Sequence, residues 1–154
     1  MIKMIKNGSV KIFAETFGEK EGIPVLLIAG AMAPAVFWET YFCETLADHG
    51  YYVIRFDNRD IGRSTHFHQS SPESGIEPPY TIYDMVDDAK TVLEALTKKN
   101  SGHIIGHSLG GSIAQLFAVT YPEKTVSVTA ISSPLLAKGN VEYIETDPKV
   151  VESL

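Results

Sequence analysis

The run from His103 through Ile104, Ile105, Gly106, His107, Ser108 and Leu109 to Gly110 and Gly111 sets a serine between two glycines, G-x-S-x-G. A short apolar stretch precedes the serine and a helical pattern follows it. A strand, a tight turn and a helix in that order hold a serine hydroxyl clear of the sheet as a nucleophile. The turn drives Ser108 to positive φ, and side chains at Gly106 and Gly110 would collide there. The next amide, on Leu109, falls at a helix N-terminus, where an N–H and the helix dipole suit an oxyanion. The competing reading is a Gly-rich connection with an idle serine. The apolar residues before the motif and the helical spacing from Gly111 to Tyr121 favour the nucleophile.

A serine nucleophile needs a histidine base and a carboxylate to orient it, in the chain order serine, acid, histidine. The five histidines, His49, His66, His68, His103 and His107, all precede Ser108. The chain therefore carries the nucleophile of such a site, while its acid and histidine are absent. On the turn His107 points away from Ser108 into a packing or hydrogen-bonding role, and His103, at a strand start, is structural. His66 and His68 flank Phe67, but no cysteine or nearby carboxylate completes a metal set. No metal and no cofactor are expected. Asp57, Arg59 and Asp60 organise a Gly-containing turn. Asp84, Asp87 and Asp88 fall early in a helix and suit its dipole.

The elements that must position the serine read as alternating strands and helices. Met4 to Phe17 forms a hairpin about the turn dipeptide Asn7-Gly8. Val25–Ala29, Tyr51–Phe56, His103–Ile105 and Val126–Ile131 are continuous apolar runs, the mark of strands covered on both faces. Between them Trp38 to His49 and Thr81 to Lys99 read as helices, the second with a capping-box pattern at Thr81 and Asp84. In the helix after Ser108, Gly110, Ala114 and Ala118 form a small-residue stripe, with Ile113, Leu116 and Phe117 beside it. The pattern predicts an α/β domain, mostly parallel, with helices on both faces. Ser64 to Pro79 reads as a loop.

The 154 residues suit one domain. Hydrophobic residues at 44% and charged residues at 21% are ordinary globular values. A net charge of −6 argues against nucleic acid as a partner. Cys43 is the single cysteine, so an internal disulfide is excluded, and it reads as a small buried hydrophobe. No run approaches a membrane span, and the N-terminal residues lack a signal-peptide core. A cytoplasmic enzyme domain is expected.

Four segments together, 28–38 (IAGAMAPAVFW), 56–64 (FDNRDIGRS), 80–96 (YTIYDMVDDAKTVLEAL) and 103–132, resemble the α/β-hydrolase superfamily, within it the esterase-type branch of aclacinomycin methylesterase-like hydrolases. The resemblance implies Ser108 as nucleophile, the Leu109 amide as one oxyanion donor and the Ala31 amide as the second. It implies a partial fold of about six strands in the order 1-2-4-3-5-6, with strands seven and eight absent. Residues 1–133 would be the N-terminal part of the core, and 134–154 the start of a cap or tail. Glu142, Glu145 and Asp147 fall in that second segment and are not assigned as the triad acid. Met32, Phe37 and Trp38, after the oxyanion loop, line an acyl pocket or form an apolar helix face. The implied activity is hydrolysis of a small-molecule ester or similar acyl substrate through an acyl-serine, with this chain inactive by itself. The alternatives are a cofactor-free haloperoxidase-like enzyme and a non-catalytic binding or assembly remnant. An open edge at Val126–Ile131 implies self-association.

Overall fold

In the computed structural model, residues 1–67 and 79–136 are described. Strands β1 (Ile2–Asn7) and β2 (Val10–Phe17) form a hairpin, with Asn7 opposite Val10 and Gly8 at φ 59 in the two-residue turn. They are followed by β3 (Ile23–Ile28), α1 (Thr40–Asp48), β4 (Tyr51–Phe56), α2 (Ile82–Leu96), β5 (Gly102–His107), α3 (Leu109–Thr120) and β6 (Thr125–Ile131). The six strands make one sheet in the order β1-β2-β4-β3-β5-β6. β4, β3, β5 and β6 run parallel, and β2 pairs antiparallel with both β1 and β4. Strand order and the mostly parallel sheet agree with the expectation. The segment 134–154 and the expected loop at 64–79 fall largely outside the described residues, as do His68, Glu142, Glu145 and Asp147.

Period-two alternation explains why the central strands read as unbroken apolar runs. Leu26 and Ile28 of β3 join Ile54, Phe56 and Ile104 under α2 and α3. Val25, Leu27 and Ala29 point the other way, with Val53, toward Trp38 and Cys43 of the α1 side. A strand buried on both faces has no polar positions to alternate with. Each fully buried Leu, Ile or Phe contributes about 1.5–3 kcal/mol. The exception is Arg55, 3% exposed on the α1 face. Its guanidinium is used up by Glu15 (2.6 and 3.0 Å), Thr40 Oγ1 (3.2 Å) and the Trp38 carbonyl. Burial pushes the nearby Cys43 thiol up to about 11, so it stays an inert packing group.

Two helix boundaries differ from the expected ones. The helix expected from Trp38 starts at Thr40, because Trp38 is extended (φ −79, ψ 93) after a single 3-10 turn at Ala35–Phe37. That conformation turns the Trp38 carbonyl to Arg55. α2 begins as expected, with Thr81 accepting from the Asp84 amide and Asp84 accepting from Thr81, but it stops at Leu96. Thr97 is already extended, and Lys98 pairs with Glu21 instead of closing the helix. Among the described residues no helix is long and apolar enough to cross a membrane.

Candidate active site

β5 ends at His107 and α3 begins at Leu109, so the whole change of direction falls on Ser108. Its φ of 53 and ψ of −119 lie where L residues are strained by about 1–3 kcal/mol. The neighbours hold it there. The Ser108 amide donates to the Ile131 carbonyl at the end of β6 (2.9 Å), and its carbonyl accepts from Gly111 (2.9 Å) and Ser112 (3.2 Å). The motif's glycines serve close approach rather than unusual φ. A Cβ on Gly106 would overlap the Gly110 carbonyl, and one on Gly110 would overlap the carbonyls of Ile28 and Ala29. Helix α3 therefore starts against the end of β3, with Ala114 fully buried behind it and Ala118 half-buried.

The end of β3 carries the second half of the site. Gly30 touches the elbow, since a Cβ there would sit 3.2 Å from both the Ser108 Cβ and His107 Nδ1. The chain then turns, with Ala33 donating to the Gly30 carbonyl (3.3 Å) and Met32 at φ 59. Among the described residues, neither the Ala31 amide nor the Leu109 amide has a hydrogen-bond acceptor. Both residues line one cavity of about 380 Å³, walled by Met32, Ile61, Tyr80 and Met85. Apolar walls with a few converging polar groups are the usual make-up of a small-molecule pocket. Ala31 and Leu109 thus share one cavity at the C-terminal ends of the parallel strands, and Ser108 precedes Leu109 directly and packs against Gly30. Of the expected acyl-pocket trio, Met32 lines the cavity, Phe37 stacks on His107 (4.7 Å between ring centres), and Trp38 is buried in the core.

Among the described residues, no histidine hydrogen-bonds Ser108. His49 contacts the Thr45 carbonyl (2.7 Å), His66 the Gly62 carbonyl (3.0 Å) and His103 the Ser127 hydroxyl (2.8 Å). His107 packs on Phe37, with its Nδ1 buried and unbonded among those residues. No group of three or more His, Cys, Asp or Glu in the described residues could hold a metal ion.

The acidic residues after β4 hold loops. Asp57, 3% exposed, accepts from the amides of Ala35 (2.6 Å) and Arg63 (2.8 Å), and its carbonyl takes the Ser64 hydroxyl (2.6 Å). Asp60 takes the Phe67 amide (2.6 Å). Tyr80 is pushed up to about 12, by burial first and then by its hydrogen bond to Asp60. Two expectations need correction. Asp88 does not serve the helix dipole: it is 1% exposed and binds Arg59 through Nε (2.7 Å) and Nη2 (2.9 Å). Arg59 therefore serves α2 as much as its own turn. Sequence reasoning also passed over Asn58, 2% exposed, which lines the cavity and donates to the Ala29 carbonyl (3.2 Å). Its one signal is a neutral amide among the charges of the 56–64 segment, at the end of an apolar strand.

Residues 23–153 match the sequence profile of the alpha/beta hydrolase fold. Two rhodomycin D methylesterases, DauP of Streptomyces sp. and DnrP of Streptomyces peucetius, are each 36% identical over 129 residues. The match covers 84% of this chain and 41% of theirs, so the chain spans less than half the length of these relatives. Among solved structures, a carboxylesterase from the thaumarchaeon Nitrososphaera gargenis superposes with a TM-score of 0.72 at 26% identity. That superposition covers 86% of this chain and 46% of the other. The thioesterase domain of the curacin pathway shares the fold at a TM-score of 0.75 and 24% identity, over 91% of this chain and 48% of its own.

Proposed function

The chain belongs to the alpha/beta hydrolase fold family, and from that membership we propose that it is the nucleophile-bearing part of a serine esterase. Ser108 Oγ attacks the carbonyl carbon of a carboxylic ester, and its proton passes to a histidine base. The oxyanion sits between the amides of Ala31 and Leu109. The C–O bond to the alcohol breaks, the alcohol leaves protonated, and water then releases the acid from the acyl-serine. The likeness to two methylesterases supports a methyl or other small alkyl ester as the group cleaved.

The observation that carries this reading is the strained Ser108 at the start of α3, packed against Gly30 between the Ala31 and Leu109 positions, whose amides have no acceptor among the described residues. No histidine follows Ser108 in these 154 residues. In this reading the histidine base lies outside the described residues, none of whose histidines bonds Ser108. Loss of the base from a serine triad removes on the order of 10⁶-fold in rate. The 154-residue chain alone is expected to show almost no turnover of an activated aryl ester. It should still form a tetrahedral adduct with an aryl boronic acid, an oxyanion mimic, visible by boron NMR and lost in Ser108→Ala. An adduct that survives Ser108→Ala would remove Ser108 from the mechanism. Ser108-dependent turnover by the chain alone would mean that one of the histidines before Ser108 reaches it.

A further inference from the structure

We propose that Asp57 and Asn58 are positioning residues that jointly clamp the loop carrying the Ala31 amide, and so set one half of the oxyanion site. The proposal rests on the serine-esterase reading above.

The loop runs from Gly30 to Pro34, between the end of β3 and the 3-10 turn at Ala35. Within it, one weak hydrogen bond from Ala33 to Gly30 (3.3 Å) closes the turn, and Met32 is at φ 59 with 88% of its surface exposed. Such a segment has little to hold it from inside. Both of its ends are gripped from outside by adjacent residues on β4's loop. Asn58 Nδ2 donates to the carbonyl of Ala29, immediately before the loop (3.2 Å), and Asp57 Oδ1 accepts from the amide of Ala35, immediately after it (2.6 Å). Both side chains are almost wholly buried, so neither bond competes with bulk water.

The clamp is itself braced. Asp57 Oδ2 accepts from the Arg63 amide (2.8 Å), and Gly62, at φ 55, leaves room for that carboxylate where a Cβ would overlap it. The Ile61 amide donates to the Asn58 carbonyl (3.1 Å). Asn58 Oδ1 is buried with no partner among the described residues, which marks the amide as kept for its donor. A carboxylate at 58 would lose that donor and face the Ala29 carbonyl. A leucine would fill the space and hold nothing. In either case the Ala31 amide is free to drift, while Leu109, fixed by α3, stays in place. A displacement of about 1 Å in a catalytic group costs on the order of 100-fold.

The test uses phenylboronic acid with the 154-residue chain, and benzamide as a neutral ligand of similar shape that forms no oxyanion. Asp57→Ala and Asn58→Asp are expected to weaken boronate binding by about 10- to 100-fold, while in Asp57→Ala, a residue that does not line the cavity, benzamide binding stays within about two-fold. General damage to the pocket would weaken both ligands and would overturn the proposal. Equal boronate affinity in wild type, Asp57→Ala and Asn58→Asp, with the adduct lost in Ser108→Ala, would also overturn the clamp and leave the serine reading intact. No adduct in wild type would overturn both. Should the variants not fold, amide relaxation of the wild-type chain decides. Order parameters near ~0.85 at Ala31–Ala33, as in rigid backbone, support the clamp, and values below about 0.6 overturn it.

Discussion

Asp88 shows what a single buried charge does in this fold. Its carboxylate is enclosed by Arg59 and by Asn7 Nδ2 (2.8 Å), so three distant segments meet on one side chain. Burial alone would lower the Arg59 guanidinium, and the Asp88 carboxylate more than offsets this and raises it. Asp88→Asn keeps the shape but leaves Arg59 charged and unpaired out of water. The loss should be about 3–5 kcal/mol, read as a fall in the urea midpoint at constant slope. A change below ~1 kcal/mol would mean that Arg59 finds water. The sequence placed Asp88 on α2 correctly. It did not reveal the partner, because Arg59 lies 29 residues earlier and the pairing depends on where α2 lands against the sheet. The turn at Ser108 and the need for Gly106 were legible because the strand, turn and helix are contiguous in the chain, whereas the contact that demands Gly110, with the carbonyls of Ile28 and Ala29, is long-range.

Helix ends were legible where side chains make them and illegible where packing does. At Thr81 the capping box can be read from two residues, and the structure contains both of its hydrogen bonds. Thr81→Ala should cost about 1 kcal/mol, seen as a fall of roughly 3 °C in melting temperature. The backbone amide of Thr81, and then its hydroxyl, hold the Asp84 carboxyl below the usual aspartate range. A depressed carboxylate stabilises the fold above its unfolded pKa, and that share is lost as pH falls through the folded value. The gap between wild type and Thr81→Ala should therefore narrow on acidification below about pH 4. A gap that widens would exclude the carboxylate's part. At the other boundary, Trp38 looks helical by composition. What unwinds it is Arg55, on a strand not yet formed when the sequence is read residue by residue.

At the scale of the molecule, the strand order is the one the family resemblance implies, and the structure has it as expected. The edge at β6 is the unusual feature. Among the described residues β6 pairs only with β5, and most of its residues are exposed. Val126 and Ile131 lie on it, with Val119, Leu135 and Leu136 exposed nearby. An open edge with apolar side chains is a template for another strand. The 154-residue chain should self-associate, with a light-scattering mass above the 16.9 kDa monomer that falls on dilution. A lysine at Val126 should shift it toward monomer. A monomer at high concentration would place a covering segment over the edge.

The strain at Ser108 also bears on stability. A backbone held about 1–3 kcal/mol above its relaxed form takes a real fraction of the roughly 5–15 kcal/mol that keeps a domain folded. The bonds that enforce it come from α3 and from the last residue of β6. Mutational tolerance is therefore uneven across this protein. Substitutions in the β1–β2 hairpin draw on the general reserve, whereas those in α3 or β6 also loosen the grip on the serine. A lineage free of the need for a nucleophile would gain stability by drifting to glycine at this position. Ser108→Gly should accordingly raise the urea midpoint, the opposite of what a substitution at an unstrained position of α3 would do.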